Sequence, residues 1–133
     1  MLRVREIDHV VLRVTDVDAM LHFYTRVLGC PVERRQEAIG LIQLRAGRSL
    51  IDLLVVADAP ATPGNVDHIC LRVDPFDAEA IRDHLARHGI EAGTVASRYG
   101  AEGDGPSLYI SDPQGNIVEL KGPPFNPSAG GAI

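Results

Sequence analysis

The chain has 133 residues, 45% apolar and 23% charged, which suits one compact domain or two half-size modules sharing a core and argues against wholesale disorder. A formal net charge of -5, with 13 scattered basic residues against 18 acidic ones and only one Lys, argues against a nucleic-acid partner, since phosphate binding needs clustered Lys and Arg. No stretch approaches the roughly 20 apolar residues of a membrane helix and the N-terminus lacks a signal-peptide core, so no membrane partner and a cytoplasmic location are expected.

Residues 8–14 read DHVVLRV, an alternating strand with His9, Val11 and Arg13 on one face and Val10, Leu12 and Val14 on the other. Thr15 or Asp16 can cap a helix whose apolar residues Val17, Met20, Leu21, Tyr24, Val27 and Leu28 keep helical spacing, and Gly29 stops it. Three strands are expected next, over 32–36, 41–45 and 50–56. In the last, Ile51, Leu53 and Val55 point to the helix side, leaving Leu50, Asp52, Leu54 and Val56 opposite.

A linker rich in Pro, Ala and Gly follows over 58–65. Then residues 67–73 read DHICLRV, repeating the first strand at five of seven positions after 59 residues. His68, Cys70 and Arg72 oppose Ile69, Leu71 and Val73. Asp74 and Pro75 are expected as N-cap and first residue of a second helix that turns Ile81 and Leu85 inward and ends at Gly89.

Strands over 93–98, 107–111 and 117–121 complete the second half, with Ser107, Tyr109, Ser111 and Glu119 facing away from the helix side. Residues 123–133 have the composition of a loosely docked end. The expectation is a single α+β domain over 1–133, made of two βαβββ modules, 5–57 and 66–122, that together form a curved mixed sheet.

A four-stranded module can cover one face with its own helix but cannot close the other alone. If the two modules pair about a pseudo-twofold axis, His9, His68, Asp52 and Glu119 meet in one cleft. Two buried carboxylates there repel unless a divalent cation joins them, and imidazole with carboxylate suits Ni, Co, Zn, Fe(II) or Mn. Asp52 is read either as a direct ligand or as a group bonding backbone at the cleft mouth; Glu119, flanked by Val118 and Leu120, is the firmer carboxylate. Cys30 and Cys70 read as reduced thiols packing as small apolar groups, and His22, His84 and His88 fall on predicted helices and receive no role.

The stretches DHVVLRV, FYTRVLGC, NVDHICLRV and LYISDPQGNIVELKG, in this order, resemble the vicinal oxygen chelate superfamily over residues 5–122. That superfamily includes glyoxalase I, fosfomycin-resistance thiol transferases, methylmalonyl-CoA epimerase, extradiol dioxygenases and bleomycin-resistance proteins. The resemblance implies paired βαβββ modules around a metal cleft, with His9, Asp52, His68 and Glu119 matching the four ligands of glyoxalase I. The position of Asp52 is commonly Glu or Gln there, one methylene longer.

Within the superfamily the chain is most similar to glyoxalase I. This implies a divalent-metal-dependent lyase or isomerase acting on a small molecule, the hemithioacetal of glutathione and a 2-oxoaldehyde such as methylglyoxal, through an enediolate. Glu119 is then the residue that moves the proton, Arg13 the holder of a glutathione carboxylate, Tyr109 a hydrogen-bond donor, and a homodimer the expected assembly. Val56 departs from the pattern, standing where bacterial glyoxalase I resembles an Asn that helps hold glutathione.

A methylmalonyl-CoA epimerase or fosfomycin thiol transferase stays open as well, and the sequence offers no decisive phosphate or CoA clamp. An extradiol Fe(II) dioxygenase fits His9, His68, Glu119 and Tyr109, but lacks the further cleft histidine of that class. A metal-free ligand-sequestering protein of the bleomycin-resistance type is disfavoured by the four convergent polar residues and by the 5% aromatic content without Trp.

Overall fold

The computed structural model describes residue 3, residues 6–58, residue 64 and residues 66–126. The chain divides into two compact units, Met1–Pro63 and Gly64–Ile133. Each holds a four-stranded mixed sheet, ordered β1-β4-β3-β2 in the first and β5-β8-β7-β6 in the second. Most of the linker expected over 58–65 and of the tail expected over 123–133 lies outside the described residues.

In unit 1, β1 (His9–Val14) runs parallel to β4 (Ser49–Val55), and β2 (Val32–Gln36) and β3 (Leu41–Ala46) are antiparallel. A two-residue hairpin at Gly47 and Arg48 joins β3 to β4, with Ala46 opposite Ser49. Gly47 has φ +62, the positive value a two-residue hairpin needs, and this fixes every pair up the ladder. The apolar face buries Val14, Ile42, Leu44, Ile51 and Leu53.

The expected first helix begins as predicted and then changes character. Asp16 caps α1 (Val17–Leu21) by accepting from the Ala19 amide, but His22–Val27 forms a π-helical turn. Its wider pitch is sealed by the Leu28 amide bonding the Phe23 carbonyl at 3.0 Å, and the Thr25 hydroxyl donates back to the Leu21 carbonyl. As a result Phe23 and Tyr24, adjacent in sequence, are both buried, which a strict 3.6-residue period does not anticipate.

In unit 2, β5 (His68–Arg72) lies parallel to β8 (Ile117–Lys121), which pairs antiparallel with β7 (Gly103–Ser111), itself paired with β6 (Ala96–Gly100). The helix start is corrected: α2 (Ala78–Arg87) is capped by Asp77, whose carboxylate accepts from the Ala80 amide, and Asp74-Pro75 is a cis peptide ahead of it. Asp77 wins because its side chain satisfies an open first-turn amide. Leu85 is buried and Ile81 half-buried. β6 starts later and β7 earlier than expected, because Gly103, Asp104 and Gly105 carry the ladder to the hairpin tip.

The DPQGN turn is tied by one side chain. The buried Asp112 carboxylate accepts from the amides of Gln114 and Asn116, both at 2.9 Å, and from Asn116 Nδ2 at 2.8 Å. Gly115 takes φ +85. This closure sets β8 against β7 with Tyr109 opposite Glu119.

Candidate metal and proton-transfer site

The two parallel strand pairs place their chemistry in the same register. His9 pairs with Leu50 and Val11 with Asp52; His68 pairs with Ile117 and Cys70 with Glu119. In each unit the histidine thus stands opposite the residue two places before the carboxylate, so both emerge on one face as diagonal neighbours.

In unit 2 this register closes a contact. His68 Nε2 lies 3.3 Å from Oε1 of the buried Glu119. Asp67 Oδ2 sits 2.7 Å from His68 Nδ1. An acceptor at Nδ1 favours the tautomer protonated there, and leaves the Nε2 lone pair facing the carboxylate side. The Tyr109 ring stands edge-on to the His68 ring, with centroids 5.5 Å apart.

Unit 1 repeats the aspartate–histidine pair: Asp8 Oδ2 lies 2.8 Å from His9 Nδ1. That hydrogen bond raises the His9 pKa above the ordinary imidazole value; desolvation opposes the rise, and the Asp52 charge adds to it. Asp52 is 3% exposed and receives Gln43 Nε2 at 3.4 and 3.3 Å on its two oxygens. Gln36 Nε2 in turn donates to Gln43 Oε1 at 3.3 Å, holding that amide in place.

Arg13 is exposed, opposite Leu54 on the His9 face. Of the two cysteines, both free, Cys30 is buried as expected, whereas Cys70 is exposed, because its strand face carries the polar residues. His22 and His88 are exposed, and the His84 and His88 rings meet edge-on with centroids 5.0 Å apart at the end of α2. Among the described residues, no helix is long and apolar enough to cross a membrane.

Among the described residues, no three His, Cys, Asp or Glu side chains converge closely enough to hold a metal ion. Each unit presents one imidazole nitrogen and one carboxylate, donors that suit a borderline divalent cation but fall short of the three or so protein ligands of a catalytic centre. Sequence reasoning missed Asp8, Asp67 and Gln43. The aspartates lie inside the repeated DH pair itself, and Gln43 follows from counting back along the Gly47 hairpin to the partner of Asp52.

Residues 6–120 match the glyoxalase/bleomycin resistance protein/dioxygenase superfamily. The virulence protein STM3117 of Salmonella typhimurium is 31% identical over 86% of this chain and 81% of its own. Its crystal structure superposes with a TM-score of 0.75, covering 92% of this chain and 99% of that one. A glyoxalase domain-containing protein, RDO1, of Mycosarcoma maydis is 35% identical over 90% of this chain and 69% of its own. The mitochondrial methylmalonyl-CoA epimerase of Mus musculus is 27% identical over 86% and 71% respectively. With its duplicated βαβββ units and this match along nearly its whole length, the chain belongs to the glyoxalase/bleomycin resistance protein/dioxygenase superfamily.

Proposed function

We propose that the protein is a divalent-metal-dependent enzyme of the glyoxalase I type, in which His9, Asp52, His68 and Glu119 serve one metal ion and Glu119 transfers the proton. The observation that carries this reading is the duplicated aspartate–histidine pair, with the second imidazole 3.3 Å from a buried glutamate. An imidazole oriented through Nδ1 by a carboxylate is the arrangement that metal-ligating histidines use.

A Ni, Zn, Co, Mn or Fe(II) ion held by these residues would supply Lewis-acid polarisation of the substrate. The remaining work falls to the chain. Glu119 takes a proton from one substrate carbon and returns it to the next, which converts a hemithioacetal of glutathione and methylglyoxal to a thioester. Asp8 and Asp67 keep the two imidazoles turned, Gln43 keeps the Asp52 carboxylate turned, and Arg13 binds a substrate carboxylate through its fork. Tyr109, beside His68 and opposite Glu119, donates a hydrogen bond to the reacting oxygens. The active form is a homodimer.

The epimerase relative favours a second reading with the same proton transfer, next to the carbonyl of a thioester. Metal analysis of untagged wild type beside His9→Ala and Glu119→Ala tests the metal claim, which fails if wild type retains no metal after Ni, Zn, Co, Mn and Fe(II) are offered. Thioester formation from methylglyoxal and glutathione supports the first reaction. Solvent-deuterium exchange into methylmalonyl-CoA without thioester formation supports the second.

A further inference from the structure

Lys121, the one lysine of the chain, ends β8 with only 6% of its surface exposed. Its alkyl chain crosses the bare backbone of β6 and β7. A Cβ at Gly100 would come within 2.8 Å of Lys121 Cε, and one at Gly105 within 2.8 Å of Nζ. The ammonium donates to the Gly103 carbonyl at 3.1 Å, and among the described residues no carboxylate pairs with it. An ammonium has three donors, so a single neutral carbonyl leaves this buried charge under-satisfied.

A second cation stands beside it. Ser107, fully buried, is the cross-strand neighbour of Lys121, and Arg98 Nη1 donates to its hydroxyl at 2.9 Å and its carbonyl at 2.8 Å. The Arg98 guanidinium lies 4.4 Å over the Tyr109 ring, which holds it on the face that carries His68 and Glu119. Its Nε and Nη2 make no hydrogen bond among the described residues, and no carboxylate neutralises it. Arg72, on the same face, is by contrast bonded to Glu102 at 2.8 Å.

We propose that Lys121, Arg98 and Ser107 form an anion-binding subsite that takes a carboxylate or phosphate group of the substrate. The fork of Arg98 offers the N–H groups of Nε and Nη2, the ammonium adds charge, and the Ser107 hydroxyl, already accepting from Arg98, keeps its own O–H to donate. Tyr109 links this subsite to Glu119, so a substrate held here by its anionic end presents its other end to the proton-transfer pair. As a substrate subsite it rests on the reading above; as an anion site it stands without it.

The test is calorimetric titration of the full chain with inorganic phosphate and, separately, with acetate, before and after EDTA treatment. Wild type is expected to bind at least one of them below about 10 mM whether or not EDTA is present. Lys121→Met and Arg98→Met should each weaken binding about tenfold, with Arg72→Met within about twofold of wild type. Preference for phosphate or for acetate assigns the substrate group. Circular dichroism melting checks each variant, and if Lys121→Met does not fold, Arg98→Met alone decides. The proposal is overturned if neither anion binds, if EDTA abolishes binding, or if Arg98→Met leaves it unchanged. Loss of the metal claim with anion binding intact would remove the enzymatic reading and leave the subsite standing.

Discussion

His68 Nε2 lies 3.3 Å from Glu119 Oε1 while Asp67 Oδ2 holds the other nitrogen of the same ring at 2.7 Å, so one imidazole stands between two carboxylates. The two acids differ in environment: Asp67 is almost fully exposed and Glu119 is buried. Water solvates the first charge, whereas the second depends on what the protein places beside it. Asp52 repeats the situation in unit 1, buried with only a neutral amide as its hydrogen-bond donor. A divalent cation shared between such a buried carboxylate and the facing imidazole lone pair would stabilise both, as the proposed metal site requires.

The exposed aspartates should therefore act through the histidines. Asp67→Ala leaves His68 and Glu119 in place but frees the ring to rotate and to change tautomer. Metal affinity is expected to fall about 10- to 100-fold, with Asp8→Ala giving a loss of the same order. Competition with a chromophoric chelator measures it, and a double variant with no greater loss than either single one would contradict two separate ligand arms.

Glu119→Gln preserves shape and removes the base of the proposed reaction. Turnover should drop by about 10² to 10⁴, because amide cannot carry the proton, while the melting temperature stays close to wild type. Glu119→Asp, one methylene shorter, should recover part of the rate. Steady-state kinetics beside thermal melts separate this from loss of fold; equal activity of Glu119→Gln and wild type would assign the proton to another residue.

The topology was legible because alternation in DHVVLRV and DHICLRV declares both the strand faces and the duplication. Five of the six remaining strands were placed to within a few residues, since their ends are set by Gly and by the Asp112 turn. The π-helical turn was not legible, because its signal is a tertiary preference to bury Phe23 beside Tyr24 rather than a local propensity. The cap of α2 went to Asp77 rather than Asp74 because two acceptable capping residues stood close together and only hydrogen bonding chose. Lys121 was counted but not placed: its burial depends on three glycines in a different hairpin, a long-range fact that a single strand does not carry.

The two thiols should behave differently in the native state. Burial raises the Cys30 pKa above that of a free thiol. Cys70 is exposed, yet partial burial of its sulfur raises its pKa too, with the Glu119 charge adding to the rise and Lys121 opposing it. Less thiolate is then present at a given pH, so one thiol per chain is expected to react with Ellman's reagent, slowly at neutral pH and faster as pH rises. Both should react at once in denaturant. Rapid native reaction of two thiols would show that Cys30 is not sealed in the core.

Asp112 is the side chain on which the register of the site depends. Its carboxylate closes three hydrogen bonds, and without them the turn that delivers β8 loses its tie and leaves two backbone amides unpaired. Asp112→Ala should lower the unfolding free energy by about 3 kcal/mol, the scale of losing charged hydrogen bonds in a buried place. Asp112→Asn keeps an oxygen for the Gln114 and Asn116 amides and loses the bond to Asn116 Nδ2, so its cost should be about 1 kcal/mol. Urea unfolding followed by circular dichroism gives both values. Because Tyr109 and Glu119 are paired through this turn, Asp112→Ala should also reduce turnover under conditions where it remains folded. Full activity together with a loss below about 1 kcal/mol would show that the β7–β8 ladder keeps its register without the turn.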